Sequence, residues 1–187
     1  MGNNGHSVCP WWLGYLLACP VRKLFQDPEA ILKPYVKKGM ACLDIGSAMG
    51  FFSLPMARLT GDNGIVICVD LQEKMIASLK RRAVKKGIEK RIATRICTTE
   101  SLLIDDLKDK IDFALASAVM HETLDQRKIF LQVYNTLKKD ALMFIAEPAG
   151  HVSEEAFKKT LALAKEVGFT AVGQMQDKRS FTVVLKK

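Results

Sequence analysis

The chain lacks a disulfide framework. Its five cysteines are an odd number, lie scattered, and form no Cys-x-x-Cys pair. That pattern excludes a stapled secreted scaffold and makes a reducing, cytoplasmic setting the expectation. Cys9 and Cys19 match no standard zinc spacing, so no metal site is expected. No apolar run is long enough to cross a bilayer, because Trp11–Cys19 is short and is closed by Pro20. Leu16-Leu17-Ala18-Cys19 has the look of a lipoprotein cleavage box, but residues 1–8 carry no Lys or Arg, so the basic segment of a signal peptide is missing. There is no internal repeat, no low-complexity tract and no sign of a second domain. We expect one domain over 1–187, with an N-terminal lid or helical segment at 1–39 and a ligand-binding core at 40–187.

What is present reads as an ordinary globular protein: 187 residues, 49% hydrophobic and 26% charged. Asp27-Pro28-Glu29 opens a helix, with a capping acid and proline in the first turn; it stops near Gly39. From there strand and helix patterns alternate. Strands are predicted at 40–45, 65–69, 92–97, 111–116 and 141–146, and helices at about 50–60, 72–87, 100–107 and 125–138. A last helix runs from Ser153 to Gly168. Segments 169–175 and 181–185 then form a hairpin. Alternation of this kind predicts a parallel sheet covered on both faces.

One stretch carries most of the functional information. Leu43-Asp44-Ile45-Gly46-Ser47-Ala48-Met49-Gly50 passes from an apolar strand through small residues into a helix. Twenty residues after Gly50, a second apolar strand ends in Asp70. A strand, a tight turn, a helix and a strand tipped with an acid make half of a nucleoside-binding unit. The turn brings backbone amides close to a ligand, and Asp70 can accept hydrogen bonds from both ribose hydroxyls.

The spacing Gly46-x-Ala48-x-Gly50 is not the Gly-x-Gly-x-x-Gly of dinucleotide folds. With the acid two residues earlier, it resembles motif I of the class I S-adenosylmethionine-dependent methyltransferases. Residues 111–122, ending in Val119-Met120-His121-Glu122, resemble the fourth-strand segment of the small-molecule, UbiE-like branch. Ala146-Glu147-Pro148 resembles its fifth-strand end. The resemblance implies an α/β, Rossmann-like, doubly wound, seven-stranded sheet, mostly parallel, with an antiparallel C-terminal strand. It also implies S-adenosylmethionine as cofactor and S-adenosylhomocysteine as product. Carried over residue by residue, the cofactor-binding set is Asp44, Gly46, Ser47, Ala48, Gly50, Asp70, Leu71, Thr98, Thr99, Glu100 and Ser117. Two positions depart from the pattern. Ala48 stands where a glycine is usual; it still allows close approach if its φ is negative, and weaker or slightly shifted cofactor binding is expected rather than none. Thr98 stands where the adenine loop usually carries an acid.

His121 and Glu122 follow the fourth strand at the sheet's carboxyl edge, where open α/β sheets bind ligands. His121 is the first candidate for a general base, with Glu122 and Glu147 behind it; each has a structural alternative as a hydrogen-bonded pair. Trp11, Trp12, Tyr15 and His151 are the candidate substrate-binding residues. The expected function is methyl transfer to a small apolar or aromatic molecule, without a nucleic-acid or membrane partner. Three alternatives stay open: an RNA methyltransferase, a non-catalytic S-adenosylmethionine-binding module and, more distantly, a nicotinamide oxidoreductase. The first draws on the net charge of +8 and on the basic stretch from Lys74 to Arg95. That stretch also reads as the solvated face of a helix whose other face is Met75, Ile76, Leu79 and Ala83. Against the RNA alternative, no Asn/Asp-Pro-Pro-Tyr motif follows the fourth strand.

Overall fold

The structure, a computed structural model, describes residues 26–176 and 179–187. Helix α1 is Pro28–Leu32, and the Asp27 carboxylate accepts the amides of Glu29 and Ala30 at its start. It is shorter than expected and gives way to turns before Gly39. Strand β1 (Ala41–Ile45) leads to α2 (Ser53–Thr60), β2 (Ile65–Asp70), α3 (Glu73–Lys85) and β3 (Ile92–Ile96). Strand β4 (Ile111–Ser117) follows, then α4 (Gln126–Thr136), β5 (Leu137–Pro148), α5 (Glu154–Val167), β6 (Thr170–Gln176) and β7 (Ser180–Lys186).

The seven strands lie in the order β3-β2-β1-β4-β5-β7-β6. The first five run parallel, and β7 inserts antiparallel between β5 and β6. Successive residues of a strand face opposite sides, and in the central strands both sides are buried. Leu43, Ile67, Ala114 and Met143 therefore join a core with Phe130 and Phe157 of α4 and α5. Cys42, Val66, Phe113 and Phe144 join another with Leu32, Leu54 and Leu79 of α1, α2 and α3. Strand order reverses between β1 and β4, which opens a crevice at their carboxyl ends.

Two expectations fail locally. Residues 100–107 form no α-helix, only a 3₁₀ turn at Asp105–Leu107. Side chains hold this segment in a loop. The Thr98 hydroxyl accepts the Ser101 amide at 3.0 Å, Gln132 of α4 accepts the Leu102 amide at 2.9 Å, and Arg95 grips Asp106. Such side-chain bonds compete with helical ones. The fourth helix also ends at Thr136 rather than 138, because β5 begins at Leu137, beside Ile111 of β4.

Candidate active site

The backbone of the turn after β1 is tied to the end of β2. The amides of Gly46 and Ser47 both donate to the Val69 carbonyl of β2, at 2.9 and 3.0 Å. Gly50 donates back to the Ser47 carbonyl, and Ala48 donates to Asp70 Oδ2 at 2.8 Å. These four amides are thus engaged inside the protein, which corrects the expectation that the turn offers them to a ligand. Gly46 has a left-handed φ of +67°, and a Cβ there would sit 2.7 Å from Cγ2 of Val119. A residue just past β4 thereby closes against the turn past β1, across the crevice.

Ala48 has a φ of +46°. The negative φ under which alanine would still allow close approach is not what the turn adopts, because the hydrogen bond to Asp70 and the neighbouring amides fix its path. A Cβ in this region is strained.

Two acids lie beneath and beside the turn. Asp44 is buried, and Ser53 Oγ at the start of α2 donates to its Oδ2. Burial pushes the Asp44 carboxyl up to about 7; the Ser53 hydroxyl pulls it down, and the nearby Asp70 charge adds to the rise. Asp70 Oδ1 accepts the Gln72 amide at 2.8 Å. Burial raises its pKa too, against the lowering effect of the Gln72 and Ala48 amides. Each Asp70 oxygen accepts one backbone amide and keeps a further lone pair.

Ser47 Oγ is buried and has no hydrogen-bond partner. Such an atom is costly to leave unpaired, and it belongs to the turn that follows Asp44 and is bonded to Asp70. That donor set suits a ligand with a diol, an amino-acid end and positive charge, as S-adenosylmethionine has. The residues present therefore fit that group. Leu71 follows directly and is exposed. Thr98, Thr99 and Glu100 are exposed in the loop after β3, whose start is tied to Asp70 by the Cys97 amide at 3.0 Å.

The second half of the site stands on β4 and β5. Glu147 is 2% exposed; its Oε1 accepts the Met120 amide at 2.9 Å and its Oε2 is hydrogen-bonded with Nδ1 of His121. That bond to Glu147 raises the His121 pKa, against partial burial, and Glu122 adds to the rise. The His151 ring meets the His121 ring edge-on at 5.9 Å between centroids. Ser117 ends β4 and lines a cavity of about 720 Å³ together with Ala118 and Glu147; Ile31, Tyr35, Phe144 and Ala146 are among its walls. Trp11, Trp12 and Tyr15, with Cys9 and Cys19, lie outside the described residues.

Three contributors escaped sequence reasoning. Ser53 and Val119 carry no local signal. Arg82 does: it lies seven residues after buried Met75, on the same helical face, and its guanidinium donates to the Met49 carbonyl at 2.5 Å. The basic stretch is otherwise divided. Arg82, Arg91 and Arg95 are engaged within the fold, whereas Lys80, Arg81, Lys85 and Lys90 are exposed around α3. Among the described residues, no helix is long and apolar enough to cross a membrane.

Comparison with known proteins places this arrangement. The ribosomal protein L11 methyltransferase of Dictyoglomus turgidum is 28% identical over 155 residues, 79% of this chain and 48% of that one. The ubiquinone biosynthesis O-methyltransferase of Sinorhizobium fredii is 28% identical over 141 residues, 75% of this chain and 53% of that one. The chain thus spans about half the length of these curated relatives. A crystal structure of an S-adenosylmethionine-dependent methyltransferase from Aquifex aeolicus superposes with a TM-score of 0.85 at 21% identity, over 96% of this chain and 99% of that one. Residues 36–185 match the family described as Methyltransferase domain. A match of that extent, on this strand order, makes the chain a member of the methyltransferase domain family, with the class I S-adenosylmethionine-dependent architecture.

Proposed function

We propose that the protein transfers the methyl group of S-adenosylmethionine to a small apolar or aromatic acceptor, leaving S-adenosylhomocysteine. The observation that carries this reading is the position of the cavity. It is within the size range of small-molecule sites, and it is walled by Tyr35, Phe144 and Ile31. Its Ser117–Glu147 end belongs to the carboxyl rim that also holds the Gly46–Gly50 turn and Asp70. In this reading Asp70 takes the sugar diol, and Asp44 and Ser47 face the amino-acid end. Leu71 and Thr98–Glu100 border the adenine, while His151 borders the acceptor. The cofactor supplies an electrophilic methyl, so the protein's part is alignment and exclusion of water.

Calorimetry with S-adenosylmethionine and S-adenosylhomocysteine is the first test; no binding of either overturns the reading. The second is transfer of labelled methyl to small aromatic acceptors, to RNA and to ribosomal protein. The curated relatives include both a quinone-pathway and a ribosomal-protein enzyme, and the exposed lysines of α3 make RNA the sharpest competitor. Labelling of RNA, with binding that weakens steeply as salt rises, would replace the small-molecule acceptor.

A further inference from the structure

Helix α3 touches the Gly46–Gly50 turn at two points. Leu79 packs where Gly50 has no side chain: a Cβ on Gly50 would meet Cγ of Leu79 at 3.2 Å. Three residues on, along the same face of the helix, the Arg82 guanidinium donates to the Met49 carbonyl at 2.5 Å. Arg82 is half-buried, and burial lowers its pKa from the ordinary arginine value. A guanidinium nonetheless stays charged at neutral pH, so the bond is charge-assisted, the stronger kind. It acts on a peptide group held at both ends. The Met49–Gly50 peptide gives its N–H to the Ser47 carbonyl at 2.9 Å and its oxygen to Arg82. The first half of the turn is tied to β2 through Val69 and Asp70; Arg82 ties the second half to α3. Without Arg82 this peptide keeps its internal tether and rotates at lower cost. Ala48 makes that matter, because its φ of +46° is strained, and such a conformation persists only where its surroundings fix it.

We propose that Arg82 is a positioning residue for S-adenosylmethionine: from α3 it clamps the Met49–Gly50 peptide and keeps the Gly46–Gly50 turn in the shape that receives the cofactor. The proposal rests on the cofactor reading of that turn given above. Arg82 acts through the backbone of the turn rather than on the ligand. A turn that is competent for only a tenth of the time binds about tenfold more weakly, although every ligand contact is retained in the competent state. Arg81 and Lys85 carry the same charge on the exposed side of α3, so they share its field but not its clamp.

The test compares Arg82→Ala, Arg82→Lys and Arg81→Ala by two measurements. Titration calorimetry gives Kd for S-adenosylmethionine and for S-adenosylhomocysteine. Hydrogen exchange of the ligand-free protein, read by mass spectrometry, gives the opening of residues 46–52. In Arg82→Ala both Kd values should rise about tenfold, and exchange in 46–52 should quicken while β1 and β4 hold. Arg82→Lys keeps a charged donor and should recover part of both losses; Arg81→Ala should change neither. An arginine that only braces the fold would quicken exchange throughout β1, β2 and α3 and leave both Kd values alone, and that result overturns the proposal. Equal weakening in Arg81→Ala also overturns it, since the charge of the helix would then be the cause, as does a lysine variant no tighter than alanine. If Arg82→Ala does not fold, Arg82→Gln, which keeps a neutral donor, takes its place, with a smaller loss expected and an unchanged Kd overturning the clamp. A parent protein that binds neither ligand would overturn the proposed function; the clamp on the turn would still stand or fall by exchange, which is read without ligand.

Discussion

The Ala48 amide donates to Asp70 Oδ2 at 2.8 Å, so the turn after β1 and the acid ending β2 are one unit. The carboxylate proposed for the sugar also fixes the loop beside it. Replacing Asp70 with alanine should therefore weaken S-adenosylmethionine binding by about 1–3 kcal/mol, through lost charge-assisted bonds and a loosened turn. Asp70→Asn keeps an acceptor for one amide and should lose less. Titration calorimetry on both variants measures the difference; equal, negligible losses would remove Asp70 from the site.

Ala48 is an L-residue held at a left-handed φ of +46°. Glycine adopts that geometry without a Cβ penalty, though it gains more freedom when unfolded. Ala48→Gly should therefore stabilise the protein by about 0.5–1 kcal/mol, raising Tm by about 1–4 °C for a chain of this size. Thermal melting in the absence of ligand is the measurement. A lower Tm would mean that the turn relaxes to another conformation.

The reverse change at Gly46 should be harmful for two separable reasons. Gly46→Ala keeps the strained φ of +67° and drives a Cβ to 2.7 Å from Val119 Cγ2. The expected loss is about 2–4 kcal/mol. Adding Val119→Ala removes the nearest clashing atom, Cγ2, but leaves Val119 Cβ at 2.9 Å and the backbone strain, so denaturant melts should recover part of the loss, not all of it.

Asp44 gives a pH signature. Its carboxyl sits at about 7 in the fold against an ordinary 3.8, chiefly through burial. The folded chain therefore holds this proton more tightly than the unfolded chain does. Its contribution is most favourable below about pH 4 and is lost as pH rises towards 7, with an upper bound on the order of 4 kcal/mol. Denaturant unfolding at pH 5 and pH 8 should show a smaller drop in Asp44→Asn than in the parent protein. Parallel curves for the two proteins would contradict a buried, largely protonated Asp44.

Local patterning made much of this fold legible. Ile65–Asp70 reads as a buried strand tipped with an acid because its apolar run is continuous, and the spacing back to Gly50 leaves room for one helix. The C-terminal hairpin follows from two strand-like segments too close for a crossover. Residues 100–107 misled because Gln132, thirty residues away, holds the Leu102 amide; no local pattern contains that bond. His121 and Glu147 were each visible as strand-end residues, but their pairing across 26 positions depends on β4 lying beside β5. The φ of Ala48 was hidden for a related reason, since it is set by Asp70 and Val69 of the next strand.

Strand β7 fills the gap between β5 and β6. During synthesis on a ribosome, β6 would emerge with no neighbour to zip onto, and Phe144 and Ala146 would lack their covering strand. A nascent chain paused before residue 180 would thus display an open, sticky edge, which is where holding chaperones should be found bound.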